Sequence, residues 1–204
     1  MAITKYGELK TAIARWMERE DLDDTIPDFI SLAEMRICRE LRARVNESRQ
    51  TWTGYDSGAG LDVPADYLDA LAFTCDDKPL TRIGEQKYQA LLADGSYSGD
   101  PKYIARQLGH FFIYPAPDSD SIIGLTYYQD ISGSLDADSD TNAVLTAAPD
   151  IYLFGALVEA ESYMMNDSRV SLWEAKFQDQ LKQLNSMADE EALSGSASIV
   201  CAAY

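Results

Sequence analysis

Histidine is nearly missing from this 204-residue chain and cysteine is scarce, with one histidine, His110, and three cysteines, Cys38, Cys75 and Cys201. A lone histidine with no CxxC pair leaves no ligand set of the kind that holds zinc. An odd number of widely spaced cysteines makes no disulfide framework and fits a reducing compartment. Long hydrophobic runs are missing too. No stretch approaches ~18 consecutive apolar residues, so no membrane span is expected. The opening MAITKYGELK has no basic segment followed by an apolar run, so no secretory signal is expected. Basic residues are in short supply: 17 Lys and Arg against 34 Asp and Glu give a net charge of −17. A surface that acidic repels phosphate at long range, which disfavours a protein that grips nucleic acid. It suits a solvated, aggregation-resistant surface, or the wall of a conduit that DNA slides past.

Sequence signs of catalysis are equally thin. There is no GxxxxGK[ST] or GxGxxG to cradle phosphate, and no GxSxG elbow to accompany His110 in a Ser-His-Asp triad. His110 reads as a solvated turn residue. Asp136, Asp138 and Asp140 alternate like the first ligands of a calcium loop, but the sixth-position Gly and the later Glu are absent, so a solvated acidic loop is expected. Carboxylate pairs such as Glu18 with Glu20, or Glu159 with Glu161, read as ordinary helix-surface acids. With 34 acids, some pair falls at a workable distance by chance. No cofactor, metal site or catalytic residue is assigned, and the chain is not read as an enzyme.

What is present is helical periodicity at both ends. Tyr6, Leu9, Ile13 and Trp16 recur at three- and four-residue steps after Thr4, a possible N-cap. Acidic residues around Asp21 to Asp24 break this helix. A second, opened by Thr25 and Pro27, carries the stripe Ile26, Phe29, Ile30, Ala33, Ile37 and Leu41, with Cys38 on its apolar face. Arg36, Arg39, Arg42 and Arg44 suit its negative end and ion pairing with the acidic loop. Near the other terminus, Pro149 and Asp150 open a helix apolar almost all round, and hence central. A last helix from about Arg169 to Leu193 keeps the spacing through Trp173, Phe177 and Leu181, for a length of roughly 35–40 Å.

Between them the period shortens. A strand is expected near TWTGY, another near KPLTR, and a short helix from about Ile83 to Ala93, while LDVPADYLDALAF stays ambiguous between helix and strand. PKYIARQLGHFFIYPAP reads as a hairpin turning at Leu108 to His110, and SIIGLTYYQDI as a third strand of the same antiparallel sheet. Tyr127 and Tyr128 then face opposite sides of that sheet, one for the core and one available as an interface. The expected architecture is α+β and mainly α: an antiparallel helix bundle from both chain ends with a small antiparallel β-rich subdomain inserted. Its segments are 1–47, 48–145, 146–193 and a tail at 194–204.

These patterns bear a resemblance. TKYGELKTAIARWMEREDLDDTIPDFISLAEMRICRELR looks like the start of tailed-phage head-to-tail connector (adaptor) proteins, most like those of short-tailed phages. PKYIARQLGHFFIYPAPDSDSIIGLTYYQDI is similar to their hairpin and following strand, and APDIYLFGALVEAESYMMND to a later helix, so the likeness covers most of the chain. The resemblance carries no catalytic residue across. It implies a structural virion protein made in the host cytoplasm, forming a ring of about a dozen copies. That ring would sit under the portal protein, joined to a tail tube or nozzle protein, with DNA passing the lumen and no membrane involved. In such a ring the apolar tail with Ile199, Val200 and Tyr204 is available as an arm for the portal or a neighbour, and Tyr127 and Tyr128 as a sheet interface. Two other readings remain open: a tail-associated cell-wall hydrolase using a carboxylate pair, and a binding module outside the virion.

Overall fold

The periodic segments near both termini become helices, and the middle becomes a sheet of seven strands. The computed structural model describes residues 3–19, 21–95 and 99–194. In chain order its elements are α1 (Tyr6–Met17), α2 (Ile26–Glu40), β1 (Glu47–Thr53), β2 (Leu61–Asp62), β3 (Tyr67–Cys75), β4 (Lys78–Arg82) and α3 (Glu85–Asp94). There follow β5 (Tyr103–Gln107), β6 (His110–Tyr114), β7 (Ile122–Gln129), α4 (Ala143–Ala147), α5 (Pro149–Tyr163) and α6 (Asp167–Ser194). The chain divides into two compact units, a helical one of Met1–Asn46 with Ile131–Tyr204, and a β unit of Glu47–Asp130.

In the helical unit, α1 starts where the Glu8 carboxylate reaches back to the N–H groups of Thr4 (2.8 Å) and Lys5 (3.2 Å). It satisfies donors that the first helical turn leaves without partners. The helix ends at Glu18, whose φ of 55° is left-handed. Tyr6, Leu9, Ala12, Ile13 and Met17 are buried, while Trp16, expected on the inner face, is 41% exposed. On α2 the whole expected stripe from Ile26 to Leu41 is buried. Each Ile, Leu or Phe of the stripe contributes about 1.5–3 kcal/mol of burial. Helix α5 is apolar on every side and packs against α1, α2 and α6. Gly155 lets it approach closely: a Cβ there would stand 3.0 Å from that of Ala33 and 3.1 Å from the Phe177 ring.

The β unit corrects the expected fold class. With 45% helix and 22% strand, the protein is not a mainly α bundle with a small antiparallel insertion; the seven strands form a nearly closed, mixed sheet. Their order is β1-β7-β3-β4-β5-β6-β2. Strands β4 and β5 are parallel, Thr81 opposite Tyr103. A parallel pair needs a crossover, and α3 with its flanking loops supplies it. Strand β7 does not extend the β5–β6 hairpin sheet by lying beside it. It runs antiparallel between β1 and β3, with Ile123, Leu125 and Tyr127 buried. Strand β3 is the segment that sequence left ambiguous; register shifts at Tyr67/Asp69 and Ala70/Ala72 break the two-residue alternation that marks a strand. The core gathers Phe73, Leu80, Ile104, Phe111, Ile113, Ile123 and Leu125.

Candidate functional site

The acids singled out by sequence are mostly structural. Asp138 and Asp140 offer their backbone carbonyls to Gly7 N–H (3.1 Å) and Tyr6 N–H (2.9 Å), completing the N-terminus of α1. Asp138 also pairs through its carboxylate with Lys10 at 2.6 Å, and Asp140 accepts from Asp136 N–H and Ala137 N–H. Those bonds hold the Asp140 carboxyl below the usual range. The loop expected to be merely solvated therefore folds back on α1, anchored by buried Ile131 and Leu135. No group of three His, Cys, Asp or Glu residues fit to hold a metal occurs among the described residues. His110 opens β6, exposed, with Nδ1 3.1 Å from the Asp62 carboxylate.

The carboxylate pairs separate as well. Glu161, expected at the surface, is fully buried, accepts from Asn166 Nδ2 at 3.0 Å and lies 2.9 Å from Arg169 Nε. Glu159 instead meets Arg36 at 3.4 Å. The Arg36 guanidinium donates twice to Glu174, at 2.7 and 2.8 Å, and lies 4.6 Å over the Phe177 ring. This arginine of α2 therefore ties α5 and α6 together rather than pairing with the acidic loop. Glu18 is the C-cap of α1, and Glu20 lies outside the described residues.

A buried polar group was missed. Glu34 is 2% exposed and accepts from the Tyr152 hydroxyl (3.1 Å) and Gly133 N–H (3.1 Å). Asn142 Nδ2 donates in turn to the Tyr152 oxygen at 2.7 Å, and Asn142 Oδ1 caps α4 at Leu145 N–H. Burial, then the nearby Glu34 charge, pushes the Tyr152 hydroxyl pKa far up. The signal was positional: Glu34 sits between Ile30 and Ile37 on the inward stripe, where a carboxylate must find buried donors. The network locks α2, α5 and the loop before α4.

Surfaces for partners are easier to locate. In the helical unit, Trp16 lies 5.4 Å from Trp173 and 6.2 Å from Phe154, with Lys176 over Trp173 and Phe154. Leu32, Met35, Leu172 and Met165 are exposed. In the β unit, Tyr127 is buried and donates its hydroxyl to Asp66 at 2.9 Å, so of the tyrosine pair it is Tyr128, half-buried, that reaches the other face. Ile199, Val200 and Tyr204 lie outside the described residues.

Strand β1 is an edge of the sheet. Gly54 N–H donates to Ser121 at 3.1 Å, and the register places Thr53 opposite Ile122. Antiparallel bonding alternates by residue, so Ser48, Gln50 and Trp52 bond to β7 while Arg49, Thr51 and Thr53 turn their N–H groups outward. These three are exposed, and among the described residues nothing accepts from their N–H groups. The other side of the seam is already covered. Ile113 N–H, beyond the end of two-residue β2, donates to the Tyr55 hydroxyl at 2.9 Å.

No curated protein matches the chain. The family model described as SU10 adaptor protein matches residues 4–199, nearly the whole chain and both units. The chain therefore belongs to the SU10 adaptor protein family, a family of phage head-to-tail adaptors, which makes it a structural protein of the virion's head–tail junction.

Proposed function

Starting from membership of a phage adaptor family, we propose that this chain closes into a ring of about a dozen copies between the portal and the tail tube or nozzle, extending the DNA channel. The observation that carries the reading is the family match across both units. Charge supports it. The helical unit has 21 acidic against 11 basic residues and the β unit 13 against 6, so each is net negative. A wall of that sign does not hold phosphate, and DNA can slide along it. The exposed apolar side chains of the helical unit suit contact with neighbouring copies, and Tyr128 suits contact through the sheet. The tail with Ile199, Val200 and Tyr204 acts as an arm. The test is negative-stain imaging of the chain mixed with its portal. Added ring density beneath the portal is the expected result; its absence at every mixing ratio overturns the proposal.

A further inference from the structure

The β1 edge is a template awaiting a strand. It is seven residues long, holds neither proline nor bulge, and presents the N–H groups of Arg49, Thr51 and Thr53 outward. Edges left in this state are ready to pair with another chain. The Gln50 amide gives it a partial cover, donating to Thr51 O at 3.2 Å. Across the seam Tyr55 already occupies Ile113, so the vacancy belongs to β1 alone.

The chain carries a segment suited to fill it. Residues 196–204, SASIVCAAY, contain no charged side chain, glycine or proline and include the β-branched pair Ile199 and Val200. Residues 198–204 span about 23 Å when extended, the length of a seven-residue strand. With no acidic side chain, the segment adds little to the repulsion between copies of net charge −17. On alternate faces it presents Ile199, Cys201 and Ala203, or Val200, Ala202 and Tyr204, so either set lies apolar beside Trp52.

We propose that residues 198–204 of one copy add as a strand to the β1 edge of a neighbouring copy. The choice of a neighbour rests on the ring reading. Each copy then has one donor arm and one acceptor edge, a heterologous contact that repeats until the ring closes. Main-chain hydrogen bonds supply the affinity, which is why the arm needs β propensity rather than charge.

Hydrogen exchange resolved by NMR tests this apart from ring formation. The chain lacking residues 196–204 is mixed with a synthetic peptide of those residues. Exchange at Arg49, Thr51 and Thr53 is expected to slow by about tenfold or more, while Gln50 and Trp52, already bonded, stay unchanged. Thr51→Pro removes an outward N–H without touching the ladder to β7, so it should abolish the effect while the fold is kept. A peptide carrying Ile199→Pro and Val200→Pro together should give no protection and cannot disturb the fold, because neighbouring N–H groups point opposite ways and one of the two must face β1. No slowing with the unmodified peptide, or slowing that survives the double proline substitution, overturns the proposal. So does protection in the full-length chain that persists at a dilution where it is monomeric, which would mean pairing with its own tail. Ring density without β1 protection in the assembly overturns strand addition alone; peptide protection without ring density overturns the ring alone.

Discussion

The two units solve the problem of a core in different ways. The helical unit buries charge: Glu34 and Glu161 lie inside it, and Arg36 links α2 to α5 and α6 across its partly buried side. The β unit is held by aromatic and aliphatic packing, Phe73 edge-on to Phe111 at 4.9 Å and Tyr67 beside Tyr127 at 5.8 Å. Burying a carboxylate is costly unless its donors are in place, so the helical unit gains a defined arrangement at the risk of large losses when one partner is removed. The β unit has few such obligations in its core, and its exposed hydrogen-bonding groups gather at an edge.

The sharpest comparison uses one fully buried ring from each. Phe177→Ala, beneath Arg36 and against Gly155, and Phe111→Ala, in the sheet core, are each expected to cost about 3–5 kcal/mol in denaturant unfolding. A much smaller loss for either would show that its unit repacks freely. A subtler pair removes only a hydroxyl. Tyr152→Phe takes a donor from buried Glu34 and is expected to cost about 1–3 kcal/mol, whereas Tyr55→Phe strips the acceptor from Ile113 N–H at the seam and should cost about 1 kcal/mol. Equal losses would erase the distinction between the two interiors.

The smallest effect concerns acid. Hydrogen bonds from Thr4 hold the Glu8 carboxyl below its usual value, and the Ile122 N–H does the same for Asp76 in the β unit. A group whose pKa is depressed on folding adds stability above its unfolded value and loses it as the pH falls through the folded one. Below about pH 4, the protection of the Thr4 and Lys5 amides relative to their intrinsic exchange rates should therefore fall, and Glu8→Gln should flatten that dependence. An unchanged profile in the variant would show that Glu8 does not set the start of α1.

Sequence reading served the helical unit better, for a physical reason. Helical periodicity is local, so Ile26 to Leu41 and the all-round apolar α5 could be read from spacing alone. The sheet depends on partners far apart in the chain. Nothing in KPLTR or YIARQ announces that they run parallel, and the bulges of β3 hide its alternation. Among candidate sites, the aspartates at 136, 138 and 140 read as a solvated acidic loop, because the use of the Asp138 and Asp140 main-chain carbonyls on α1 leaves no residue-type signal. Buried Glu161 read as surface because a stripe apolar on every side has no polar face against which one acid stands out. Family likeness came from packing residues, and these the local patterns did carry.

The carbonyls of Asp138 and Asp140 on the first turn of α1 also bear on the order of synthesis. A ribosome makes α1 and α2 long before it makes the loop that completes them, whereas the β unit from Glu47 to Asp130 is uninterrupted. The sheet is thus able to mature while its helical companion still waits for α4, α5 and α6, and α1, translated ahead of the sheet, is finished after it.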